Sequence, residues 1–104
     1  MKLHRHLVEQ TLNALHDTFV GGYPADKVLE RILKAQRKWG ARDRKFVAES
    51  VYEIVRHWRR LWAEAGLDPK KYLDRDDISD HDLWRVWACF ELSRSGELPD
   101  WDEV

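Results

Sequence analysis

Apolar side chains recur at helical spacing through most of this chain. Leu7, Val8, Leu12, Leu15 and Phe19 predict a first helix over about Leu3 to Val20, closed where Gly21-Gly22 supplies permissive backbone. Pro24 then opens a second helix to about Trp39, whose Val28, Leu29, Ile32 and Leu33 follow the i, i+1, i+4, i+5 pattern of a buried face and which Gly40 stops. Asp43 is placed as the N-cap of a long third helix reaching about Ala65, with Val47, Val51, Ile54, Val55, Trp58, Leu61 and Trp62 in one stripe and Gly66 after it. Asp68-Pro69 begins a short helical turn through Tyr72 and Leu73, and an acidic loop follows. Ser79 is the expected N-cap of the final helix, because Asp80 and Asp82 in its first turn suit the helix dipole. That helix carries Leu83, Trp84, Val86, Trp87, Phe90 and Leu92 before Gly96, whereas Leu98-Pro99-Asp100-Trp101 shows no period and reads as a tail or the start of a linker. No strand alternation is evident, so the expected fold is all-α: a compact bundle of about five helices over residues 1–98, with 99–104 outside it.

Composition agrees with one domain. The 104 residues are 43% hydrophobic and include six tryptophans, enough to bury a core without disulfides. Trp58, Trp62, Trp84 and Trp87 fall on or near apolar stripes and are assigned to the core; Trp39 either buttresses the turn after it or stacks on a base, and Trp101 docks on the bundle or on a partner. The single Cys89 has no partner for a disulfide or a thiolate metal site and reads as a small buried residue. The polar N-terminus does not fit a signal peptide, and no run approaches the roughly 18 apolar residues of a membrane span, so a cytoplasmic setting is expected.

Charge changes the picture. The formal net charge is only −1, but Lys27 to Arg60 holds eleven basic residues against four acidic ones, a net of +7, and Glu64 to Val104 holds five against twelve, a net of −7. Such asymmetry points to a polyanionic partner where the total points nowhere. Lys27, Arg31, Lys34 and Lys38 share one expected helical stripe, and Lys45, Glu49, Tyr52 and Arg56 share another that Arg59 and Arg60 extend. Gly40-Ala41-Arg42-Asp43-Arg44 joins them. Phosphates bind such surfaces by ion pairing and counterion release, arginine adds bidentate contacts, and Tyr52 offers a ring to an unpaired base. The simpler account of any one stripe is a solvated outer face; two stripes joined by an arginine-rich turn weigh against it.

Catalytic and metal chemistry find no such pattern. His4 and His6 point to different sides of a helix, and His16, His57 and His81 lack ligand or triad spacing. Asp76-Asp77 and Asp80-His81-Asp82 lack the glycine and distal glutamate of a calcium loop, and no glycine-rich phosphate loop or nucleophile motif is present. No catalytic residue, metal site or cofactor is therefore assigned to these residues.

Ala25-Asp26-Lys27-Val28-Leu29-Glu30-Arg31-Ile32-Leu33, followed by Trp39 to Arg56 with its Arg42-Asp43-Arg44 turn leading into Phe46-Val47, Tyr52 and Arg56, resembles the N-terminal domain of the RsmB/NOP/Sun RNA cytosine methyltransferases. That domain is similar to the antitermination factor NusB. The resemblance covers nearly the whole chain and implies a NusB-like helical domain that assists RNA binding, with S-adenosylmethionine and the catalytic cysteines belonging to a separate Rossmann-like domain that these 104 residues do not include. The expected function is thus non-catalytic binding of RNA, ribosomal RNA by implication, with Lys38, Arg42, Arg44, Lys45, Tyr52, Arg56, Arg59 and Arg60 as contacts. The alternative is a NusB-like adaptor whose faces receive a partner protein or a C-terminal catalytic domain.

Overall fold

The computed structural model describes residues 2–3, 5–73, 77–96 and 100–101. The fold is all-α, with six helices among those residues: α1 (Arg5–Phe19), α2 (Ala25–Ala35), α3 (Ala41–Arg56), α4 (Trp58–Glu64), α5 (Pro69–Leu73) and α6 (Asp80–Ser95). The first of these, α1, is the central helix, packed against α2, α3 and α6, while α4 lies on α6 and α2 on α3. Its inward face, Leu7, Val8, Leu12, Ala14 and Leu15, is buried, and the hydroxyl of buried Thr11 donates to the Leu7 carbonyl at 2.9 Å. A buried polar group so paired avoids the penalty of an orphaned donor. Gly21 is required after α1, because a Cβ there would stand 2.7 Å from the Asp17 carbonyl oxygen.

The boundaries differ from the sequence reading in ways that move the site. The second helix ends at Ala35, with Gln36 as C-cap, so Arg37 and Lys38 lie in a turn and not on the α2 stripe. Gly40, not Asp43, is the N-cap of α3, and Asp43 falls in the first turn, where its carboxylate still complements the helix dipole. The expected long helix is broken at His57 (φ −110°, ψ 26°), dividing it into α3 and α4. Neither glycine nor proline marks the break; it coincides with Trp58 stacking on Phe19 of α1 at a ring separation of 3.8 Å, and with Trp62 donating to the Asp68 carbonyl at 2.7 Å. Tertiary packing of two indoles sets the path of α4 here. Its C-terminus is closed by Gly66, held at φ +74°, and by the Arg85 guanidinium of α6, which donates to the Ala65 carbonyl.

As expected, α6 starts at Ser79, with a full capping box: the Ser79 hydroxyl accepts from the Asp82 amide and the Asp82 carboxylate accepts from the Ser79 amide, both at 3.1 Å. Trp58, Trp62 and Trp87 are buried core residues and Trp84 is half-buried, whereas Cys89 is half-buried rather than fully enclosed. One feature has no counterpart in the sequence pattern. Lys2–Leu3 (β1) pairs in parallel with Asp100–Trp101 (β2), Leu3 opposite Trp101, so part of the expected tail docks by its backbone. Two-residue pairing lies below the length at which alternation can be read. The expected acidic loop at 74–76 and the stretches 97–99 and 102–104 lie outside the described residues.

Candidate nucleic-acid interface

Helical geometry gathers part of the cationic set on one ridge. Arg42, Lys45, Glu49, Tyr52 and Arg56 follow each other by three or four residues along α3, and all are exposed, opposite buried Val47, Ser50, Val51 and Ile54. The fourteen helical rises from Arg42 to Arg56 make the ridge about 21 Å long, or roughly six stacked nucleotide steps of about 3.4 Å. Tyr52 is 48% exposed, so its ring is presented among the cations as a stacking surface. Arg59 and Arg60 continue outward from α4, beyond the break at His57.

Arg44 behaves differently from its neighbours. Its Nε donates to the Trp39 carbonyl and its Nη2 to the Gln36 carbonyl, each at 3.2 Å, so the guanidinium ties the start of α3 to the end of α2. The sequence reading grouped Arg42, Arg44 and Lys45 as adjacent contacts; the structure turns Arg42 and Lys45 outward and half-buries Arg44 as the brace of the turn. Trp39 packs partly against the core and meets His6 edge-on at 5.9 Å, which supports the same turn from the α1 side.

Internal carboxylates answer some of the charge. On α2, Arg31 pairs with Asp17 and Lys34 with Glu30 at 2.9 Å, so that stripe is largely compensated. The Lys34 hydrogen bond and charge, with Lys27 nearby, hold the Glu30 carboxyl below its usual range. On the ridge, Lys45 stands 3.9 Å from Glu49 and Arg60 3.5 Å from Glu64, both pairs exposed and therefore weak. Arg37, Lys38, Arg42, Arg56 and Arg59 are exposed and have no ion-pair partner among the described residues. These five, with Lys45, Arg60 and Tyr52, form a run from the α2–α3 turn to α4.

Two clefts adjoin this run, and the sequence reading anticipated neither. Between α3 and α6 lies a space of about 310 Å³ walled by Phe46, Glu49, Glu53, Phe90 and Arg94. A second, of about 330 Å³, is lined by Arg56, Trp58 and Arg59, and the two share His57 and Arg60. Arg94 is fixed in place: its Nη2 lies 2.7 and 2.6 Å from the two oxygens of the fully buried Glu91, whose carboxylate also accepts from the Ser95 hydroxyl at 3.1 Å. Its guanidinium rests 5.7 Å from the Phe46 ring and 5.9 Å from Phe90. Only the i, i+3 spacing of Glu91 and Arg94 hinted at this pair, and that spacing is as common on solvated helices.

Among the described residues, no group of three or more histidine, cysteine, aspartate or glutamate side chains is arranged to hold a metal ion. Burial, with Glu64 nearby, pushes the Cys89 thiol up despite Arg85, the opposite of an activated nucleophile. No described helix is long and apolar enough to cross a membrane. The structure is thus that of a small all-α domain with a one-sided cationic ridge. Comparison with known protein families, curated proteins and solved structures finds no match for the chain.

Proposed function

We propose that this chain is a non-catalytic RNA-binding domain, of the kind that precedes the catalytic domain in the RsmB/NOP/Sun methyltransferases, acting in the cytoplasm on ribosomal RNA. The observation that carries the reading is the α3 ridge, where Arg42, Lys45 and Arg56 flank an exposed tyrosine and where Arg42 and Arg56 have no internal carboxylate among the described residues. Phosphates supply the missing counter-charge, and the ring gives an unpaired base a face to stack on. Arg44 contributes by holding the turn that presents Arg42, Arg37 and Lys38. Methyl transfer, and the S-adenosylmethionine it consumes, would belong to a separate domain.

Salt-titrated binding of the 104-residue chain to a structured RNA with single-stranded loops tests this. Arg42→Ala and Lys45→Ala should each weaken binding and lower the slope of log affinity against log salt by about 0.7–1. Absence of affinity at low salt, or a double variant that binds like the parent, would overturn it. An adaptor role alone predicts that RNA leaves a protein partner's complex undisturbed.

A further inference from the structure

The two clefts meeting at His57 carry a more specific reading than a cationic ridge, and it rests on the RNA-binding proposal. We propose that they form the seat of one unpaired nucleotide, with its base in the α3–α6 cleft and its phosphate at Arg56, Arg59 and Arg60.

The walls differ in chemistry as the parts of a nucleotide do. In the α3–α6 cleft, Phe46 and Phe90 are aromatic, and Arg94 is a guanidinium plane immobilised by buried Glu91, a surface on which a base can stack. Along the same face of α3 as Phe46, and across from Phe90 and Arg94 of α6, the cleft is lined by Glu49 and Glu53, which as carboxylates only accept hydrogen bonds. A base with an exocyclic amino group, cytosine, adenine or guanine, donates to them through it; uracil has no amino group and only one edge donor, its N3–H, set between two carbonyl oxygens that the carboxylates repel, so it is held less well. The adjoining cleft has the opposite sign. Three arginines line it; Arg60 stands 3.5 Å from Glu64, while Arg56 and Arg59 have no ion-pair partner among the described residues. Guanidinium forks in that number suit a phosphate better than a carboxylate-poor solvated surface requires. Trp58, buried and stacked on Phe19, gives the junction a rigid base, and the break at His57 is what turns Arg59 and Arg60 away from the straight path of α3. Volumes of about 310 and 330 Å³ sit at the lower end of the range for small-ligand sites.

The test compares eight-nucleotide RNAs of one repeated base, cytidine or uridine, binding to the full chain at fixed salt. The cytidine oligomer should bind about fivefold or more tighter than the uridine oligomer. In Glu49→Gln/Glu53→Gln both oligomers should bind more tightly, since two negative charges are gone, but the ratio between them should fall toward one. Both glutamates are exposed, so unchanged helical circular dichroism will confirm that this variant folds. Arg56→Ala/Arg59→Ala should weaken both oligomers together. Equal affinity of the parent for the two oligomers, or a preference that survives in the glutamine variant, would overturn the nucleotide seat while salt-dependent, Arg42-dependent binding kept the RNA reading intact. A chain that binds neither oligomer nor structured RNA would overturn both.

Discussion

Arg44 shows how one side chain can satisfy a sequence pattern and serve another end. Its guanidinium bridges the Trp39 and Gln36 carbonyls, so Arg44→Ala should cost about 1–2 kcal/mol in chemical denaturation. Arg44→Lys should recover little of that, because a single ammonium cannot span two carbonyls as a planar fork does. Sequence could not separate this role from phosphate contact: the accepting carbonyls are in place only because α2 stops at Ala35, short of where its pattern ran. Asp82 was more legible, since a serine three residues before an aspartate at the head of an apolar run is a cap signature. Burial pushes its carboxyl up, but the Lys71 ammonium at 2.8 Å and the Ser79 amide and hydroxyl outweigh that and hold it below the usual aspartate range. A lowered folded pKa means that the stability it contributes is complete above the unfolded pKa and is lost as pH falls through the folded one. Unfolding free energy should therefore decline below about pH 4, and Asp82→Asn should flatten that decline. Buried Glu91 makes a stronger case: Arg94→Ala leaves its carboxylate enclosed and without its guanidinium, and thermal unfolding should register a loss of about 3 kcal/mol.

Among the elements, those whose signals are local were readable and those set by packing were not. The starts of α5 and α6, the end of α1 and the turn at Gly66 follow from Pro69, Ser79, Gly21 and Gly66 themselves. The interruption at His57 follows from Trp58 meeting Phe19 across α1, a contact between residues 39 positions apart that no local window contains. Trp58→Ala should accordingly destabilise the fold by about 3–5 kcal/mol, measurable by urea denaturation. Gly66→Ala forces an L side chain to φ +74°, with its Cβ 3.4 Å from the Arg85 guanidinium, and should cost about 1–2 kcal/mol in the same assay. The candidate site inherits this division. The α3 ridge was legible from Lys45 to Arg56, because Lys45, Glu49, Tyr52 and Arg56 share a face by spacing alone, whereas Arg42, expected in the joining turn, belongs to it only because the helix is capped at Gly40. The clefts were not: Phe90 and Arg94 reach the first from α6, and the second exists only where the helix breaks at His57.

For the molecule as a whole, the contrast between a cationic middle and an acidic C-terminal half survives folding only in part. Arg31 and Lys34 are answered at once by Asp17 and Glu30, while the exposed cations from Arg37 to Arg59 are not answered by the acidic half among the described residues. The pairing of Lys2–Leu3 with Asp100–Trp101 brings the outermost described segments side by side. A polypeptide whose outer segments are paired in this way can be rewired without rebuilding its interior. A circular permutant, with the present ends bridged by a short glycine-serine linker and new ones opened at exposed Gly22-Tyr23, should retain the parent's helicity and its cooperative melting.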